Sequence, residues 1–256
     1  MKAALYGKNT EFLEKILLKK GVEIVELSSP LKDLLICYGG DGALLSAELL
    51  YPGLPKMPIR DVETAPHCAK HSLERQIDLL LSGSLTTSLL PKLYGKAAGQ
   101  EFFALNDIFI HNKNSFSALR YQIKIDDELY ANEIVGDGVG VATVHGSTGY
   151  YKSITHGTFR TGMGLAFSNS TEEINHLVID DKSEVKIRII RGPGLVIADN
   201  SPKTMEVPNQ GEVIIRTAPE KALIYGLKGF MCPACRVLCH PNKLPFKIMI
   251  ATEQQK

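Results

Sequence analysis

Residues 33–50 read DLLICYGGDGALLSAELL, and three kinds of pattern follow one another within that stretch. Asp33 to Tyr38 is a nearly unbroken apolar run, the composition of a strand buried on both faces of a parallel sheet. Gly39-Gly40-Asp41-Gly42 follows at once, and ALLSAELL then returns to helical spacing. Strand, glycine turn and helix in direct succession predict an α/β unit. On the amino-terminal side, residues 3–6 (AALY) predict a short strand. Glu11 to Lys20 predicts an amphipathic helix with Phe12, Leu13, Ile16 and Leu17 on one stripe, and Val22 to Leu27 alternates like a second strand. On the other side, residues 52–70 are Pro-rich and irregular, and Leu73 to Leu81 is helical.

Beyond about residue 103 the pattern changes. Ala104 to His111, Leu119 to Ile125, Val139 to Val144, Leu177 to Ile179, Glu184 to Ile190, Gly194 to Ala198 and Gly211 to Thr217 all read as short strands with turn signals between them. Such a series predicts an antiparallel sandwich or roll rather than further βαβ units. The expected organisation is therefore a Rossmann-like α/β domain over residues 1–100, carrying the GGDG loop, and an all-β domain over 101–245. A last strand at Lys247 to Ala251 and a polar tail make up 246–256.

Composition narrows the function classes. The chain is 44% hydrophobic and 22% charged with a net charge of +1, and its basic residues form no stripe. Electrostatics thus gives no reason to expect nucleic acid or an anionic membrane as the main partner. Neither a signal-peptide core nor an apolar run of membrane-spanning length occurs, so a soluble, cytoplasmic protein is expected. Five cysteines, an odd number, point to reduced thiols rather than a disulfide framework.

Two glycine-rich segments carry chemistry. In GGDG, glycines let the backbone approach a polyphosphate, and the helix that follows directs its unpaired N–H groups at the anion. An acid in such a loop repels phosphate unless it holds Mg²⁺ or takes a proton from an attacking hydroxyl. The plainer alternative is a tight turn with Asp41 capping the helix. Neither GxxxxGK[ST] nor a post-strand GxGxxG is present, which excludes the two commonest nucleotide loops. The second segment, Gly136 to Ser153, reads GDGVGVATVHGSTGYYKS. Its small residues and hydroxyls suit a ribose or phosphate, and equally suit a glycine-rich hairpin with an exposed tyrosine.

Taken together and in order, these segments resemble the NAD kinase family, whose pattern is GGDG, then Asn-Glu or Asn-Asp, then GDGxxVSTPTGSTAYxxS. Leu105-Asn106-Asp107 supplies the middle motif, and Val196 to Asn200 (VIADN) resembles the family's apolar strand ending in Asp-Gly. The resemblance implies transfer of the γ-phosphate of ATP to the 2′-hydroxyl of the adenosine ribose of NAD. By position, Asp41 stands for the acid that deprotonates that hydroxyl with the help of Mg²⁺, and Gly39, Gly40 and Gly42 for its phosphate loop. Asn106, Asp107, Asp137, Thr148, Tyr150, Ser153 and Asp199 stand for NAD-binding residues. The family also implies a homo-oligomer, because its GSTAY region contributes to neighbouring sites.

The chain departs from the family in places. A Gly-Ile-Asn…Gly-Phe-Leu stretch normally separates the first two motifs, whereas residues 58–71 here read PIRDVETAPHCAKH. His145 replaces a Ser or Thr, Thr155-His156 replaces a glycine pair, and Asn200 replaces a Gly. Outside the pattern, Cys232, Cys235, Cys239 and His240 offer four soft ligands for a structural Zn²⁺, with His67, Cys68 and His71 as a possible second half; free thiols are the alternative. Two other functions compete on sequence. One is a diacylglycerol or sphingoid lipid kinase, which shares GGDG but lacks GSTGY. The other is a weakly active NAD(P)-binding, redox-sensing module using the cysteines.

Overall fold

The computed structural model describes residues 1–61, 67–114, 116–173 and 175–238. The expected strand at 247–251 lies outside them. The chain forms two compact units, neither of which is a single run of sequence. Of the described residues, the first takes 1–47, 54–89 and 223–238, and the second takes 48–53 and 90–222.

The first unit begins with β1 (Lys2–Gly7), α1 (Glu11–Lys19), β2 (Glu23–Ile24), β3 (Leu34–Tyr38), α2 (Asp41–Leu50), β4 (Lys56–Ile59) and α3 (Leu73–Leu81). Its parallel sheet has the order β2-β1-β3-β4, with Ala3 opposite Leu34 and Ile36 opposite Met57. Every residue of β3 is buried, as its apolar run requires. Leu13 and Leu17 of α1, and Leu73 and Ile77 of α3, pack with Ile36, Met57 and Ile59 into one core.

Two expectations change here. The strand predicted over 22–27 is only two residues long, because the chain turns at Glu26, whose carbonyl accepts from the Ser29 amide. The stretch read as irregular contains β4, a strand within the sheet despite Pro58. The geometry explains the tolerance. The Pro55 and Ile59 carbonyls accept bonds from Leu35 and Gly39 on the β3 side. In a parallel strand alternate residues face opposite neighbours, so Pro58 faces the other side, where its missing N–H breaks no bond to β3.

The second unit contains β5 (Thr87–Ala97, starting in the first unit), β6 (Gln100–Ala104), β7 (Asp107–Asn112), β8 (Leu119–Ile125), β9 (Glu128–Gly136), β10 (Gly138–Ala142) and α4 (Tyr150–Thr155). It continues with β11 (Met163–Ser168), β12 (His176–Ile179), β13 (Glu184–Arg191), β14 (Gly194–Ala198), β15 (Met205–Val207) and β16 (Glu212–Tyr225). One sheet runs β12-β11-β10-β7-β14-β15, and all its pairs are antiparallel. The other joins β16, β13, β8 and β9, with β5 pairing β6 and β16. Ile108, Val139, Leu165 and Phe167 from the first sheet share a core with Tyr121, Ile123, Ile187 and Ile215 from the second, which makes the unit a sandwich.

The break between the units falls at residues 89–90 rather than near 100, because β5 turns back on β6, with Ala97 opposite Gln100. Moreover, β16 outruns the predicted Gly211–Thr217, and its last residues return to the first unit, where Ile224 pairs with Lys56. Two short helices, α5 (Leu227–Phe230) and α6 (Pro233–Leu238), follow. Among the described residues, no helix is long and apolar enough to cross a membrane.

Candidate active site

In the first unit, the turn from β3 into α2 presents Asp41. Gly39 has φ +146°, a conformation open to glycine, and a Cβ there would lie 3.0 Å from the Ala43 Cβ. Gly40, Asp41 and Gly42 are exposed, and nothing lies within 4 Å of where a Gly40 Cβ would stand. The loop is therefore accessible to a large anion at the start of a ten-residue helix. Arg60, just past β4, brings its guanidinium to 3.5 Å from Asp41 Oδ1. The Arg60 side chain is buried: Nε donates to the Phe230 carbonyl at 2.9 Å, and the Phe230 ring lies 4.3 Å from the guanidinium carbon. Sequence reasoning missed Arg60, since it sits in the stretch that departs from the family pattern.

In the second unit, the predicted strand 104–111 is interrupted at Leu105-Asn106, and the interruption is itself the site. Asp199 holds this turn. Its carboxylate accepts from the amides of Leu105 and Asn106, both at 2.7 Å, and of Asp107 at 3.1 Å. Asp199 sits at φ +51°, in the left-handed region where Asp is among the tolerated side chains. Burial raises its pKa, while the three amide bonds pull it down. Asp107 is also buried. Desolvation, reinforced by the Asp199 charge, raises its pKa to about 7. The Asn106 Oδ1 is buried without a hydrogen-bond partner among the described residues, an acceptor available to a ligand.

The GSTGY segment packs on the same turn through Thr143. Its hydroxyl donates to the Leu105 carbonyl at 2.7 Å and accepts from the Gly146 amide at 3.0 Å, while its amide donates to the Asn106 carbonyl at 2.8 Å. A Cβ at Gly146 would lie 2.0 Å from that carbonyl oxygen, so only glycine fits. Tyr150 opens α4, exposed, with its ring edge-on to Phe109 at 4.5 Å and tilted 5.7 Å from His111. His111, near the end of β7, belongs to this aromatic face, and burial lowers its pKa.

Asn106, Asp107 and Asp199 thus meet, with Thr148 and Tyr150 on the adjoining segment. Thr148 and Ser153 are exposed, and the Thr148 hydroxyl bonds the His145 carbonyl. Asp137 is not part of this group. It precedes β10, whose far end, Ala142, is the one that pairs with Asp107. At about 3.4 Å per residue the separation is roughly 17 Å. Asp137 is exposed and accepts from Asn169 Nδ2 at 2.6 Å.

A cavity of about 590 Å³ opens in the second unit, lined in part by Phe102, Leu105, Asp199 and Met205. Its wall includes Lys92 and Glu48, an ion pair at 2.9 Å with both side chains buried. Of the proposed metal ligands, Cys232 and Cys235 meet Cys68 and His71, all in the first unit; His67 is not in that group. Cys239 and His240 lie outside the described residues.

Residues 105–227 match the model of the ATP-NAD kinase C-terminal domain. The NAD kinase of Psychrobacter arcticus is 30% identical over 232 residues, covering 82% of this chain and 69% of that protein. The NAD kinase of Christiangramia forsetii is 27% identical over 217 residues, covering 77% and 71%. In fold, the chain is similar to an NAD kinase from Archaeoglobus fulgidus solved with ATP, with TM-score 0.75 at 20% identity over 93% of this chain and 99% of that one. It is likewise similar to yeast NADH kinase solved with NADH, with TM-score 0.75 at 16% identity over 96% and 88%. At 30% identity over more than two thirds of a curated NAD kinase, this chain belongs to the NAD kinase family.

Proposed function

We propose that this chain transfers the γ-phosphate of ATP to the 2′-hydroxyl of the adenosine ribose of NAD, giving NADP. The observation that carries this is the second-unit turn, where Asp199 holds three successive amides and leaves Asn106 and Asp107 as a polar pair with an unused acceptor. A ribose offers two adjacent hydroxyls, each a donor and an acceptor. Asp107 suits them: near neutral pH it can accept from one hydroxyl or, protonated, donate to another.

Asp41 accepts the 2′-hydroxyl proton as the phosphoryl group arrives. Most of the rate enhancement in such transfers comes from positioning and charge neutralisation, with a modest share from the base. The loop glycines and the first-turn amides of α2 receive the phosphates. A divalent cation fits the Asp41 carboxylate, which is half exposed. Mg²⁺ is commonly held by one or two carboxylates plus substrate phosphates, and when bound it would neutralise charge on the β- and γ-phosphates. Arg60 sets its guanidinium 3.5 Å from Asp41 Oδ1, an opposite charge that helps hold the loop acid in place.

Asp137, Thr148 and Ser153 are exposed, and Asp137 lies far from the Asn106 turn. That placement supports a homo-oligomer in which they serve a neighbouring copy's dinucleotide. The test of the main proposal is direct: purified protein with ATP, Mg²⁺ and NAD, with NADP measured by an NADP-specific dehydrogenase. NADP formation absent while diacylglycerol or sphingosine is phosphorylated would overturn it.

A further inference from the structure

The sequence holds two short ligand pairs of identical spacing, Cys68-Ala-Lys-His71 and Cys232-Pro-Ala-Cys235, more than 160 positions apart. Each folds as a tight turn. Ala69–His71 is a single 3₁₀ turn closed by the His71 amide donating to the Cys68 carbonyl at 2.9 Å, and α6 starts at Pro233. Within the first unit the two turns face each other, and one potential ligand atom from each of the four residues lies within 4.8 Å of all the others. His71 Nδ1 is 3.3 Å from Cys68 Sγ and 3.7 Å from Cys235 Sγ. Cys235 is buried, and its sulfur also faces the Cys68 amide at 3.4 Å. None of these cysteines is in a disulfide.

We propose that Cys68, His71, Cys232 and Cys235 form a closed, tetrahedral zinc site that ties the carboxy-terminal segment to the turn after β4. Three sulfurs and one imidazole nitrogen are a common structural zinc set, drawn here from two separate knuckles as such sites usually are. The distances fit the ion: with Zn–S of about 2.3 Å and Zn–N of about 2.05 Å, a tetrahedron has N···S edges of about 3.6 Å. The two observed N···S distances fall on either side of that edge. The amide-to-sulfur contact is the kind of outer-shell bond that tempers thiolate charge around a metal. With all four positions filled by protein, no position remains for substrate, so the ion is structural.

The site has a target within its own unit. Phe230 lies two residues before Cys232; its carbonyl and ring hold Arg60, and Arg60 reaches Asp41. Zinc fixes the Phe230 turn and thereby the arginine beside the loop acid. This last link rests on the role proposed for Asp41; the metal site itself does not.

The experiment uses the full chain purified without a metal-affinity tag. Elemental analysis is expected to find about one zinc per chain, and Co²⁺ exchanged into it should give the intense absorption of a tetrahedral thiolate site. Cys68→Ser and Cys232→Ser should each abolish binding, whereas Cys239→Ser should retain it and His71→Cys should retain it as an all-thiolate site. Because serine variants can fail to fold, the wild type is also titrated with a thiol-specific mercurial, which should release zinc in step with thiol modification. Zinc near zero with freely reacting thiols, a cobalt spectrum lacking thiolate absorption, or zinc that survives Cys68→Ser but not Cys239→Ser would each overturn the site. NADP formation is read separately in the same samples, so loss of the metal site and loss of the kinase proposal remain distinguishable.

Discussion

Asp107→Asn offers a sharp test of the electrostatics around the Asn106 turn. The folded carboxyl keeps its proton up to about pH 7, against a reference value of 3.8, because it is buried beside Asp199. Between those values the folded state binds more protons than the unfolded one, so stability contributed at this position falls as pH rises and levels off above 7. Three pH units at about 1.36 kcal/mol each give an upper limit of about 4 kcal/mol. Of this, about 2–3 kcal/mol should develop between pH 5 and pH 8. Asparagine cannot titrate. The wild type should therefore lose about that much stability relative to Asp107→Asn across this interval, while Asp199 titrates in both. The chain has no tryptophan, so urea unfolding followed by far-ultraviolet circular dichroism at several pH values is the suitable assay. Parallel pH profiles, or a wild type that gains on the variant as pH rises, would refute the argument.

Asp41→Asn should cut NADP formation by about 10² or more with NAD affinity little changed, measured by steady-state kinetics and calorimetric titration. Replacing Asn106 and Asp107 together with Ala should weaken NAD binding more than ATP binding in the same titrations. Thr143→Val removes a buried hydroxyl that serves both the Leu105 carbonyl and the Gly146 amide, and should cost about 2–4 kcal/mol in urea unfolding. Lys92→Met leaves the buried Glu48 without that cation and should cost about 3–5 kcal/mol, most of it recovered in Lys92→Met/Glu48→Leu.

What was legible in the sequence was what local pattern controls. The apolar run 34–38, the helix at 73–81 and the strands at 119–125 and 194–198 appear where periodicity put them, because burial on one or both faces leaves its own signature. The motifs likewise marked the glycine loop and the Asn106-Asp107 pair, though the pair was read within a strand and the turn at 105–106 was not expected. Hidden were features set by distant partners. Pro58 masked β4, since the harmless direction of its missing N–H depends on strand pairing. The task of Asp199 was invisible, because three amides some 93 positions away define it. Arg60 had no motif to belong to, whereas Cys68 and His71 were legible as a possible second half of the cysteine cluster; only which of the candidate ligands meet depended on the return of the chain end.

That return has a consequence during synthesis. The first unit lacks its Ile224 edge pairing and its Phe230 cover until residues 90–222 have been made, so β4 emerges with one edge bare and Arg60 uncovered. At about 5–20 residues per second that wait is on the order of ten seconds, long enough for an open strand edge to meet another nascent chain. A ribosome-bound chain halted at Ala222 should accordingly recruit chaperones and resist release as soluble protein, and letting translation run on past Phe230 should relieve both.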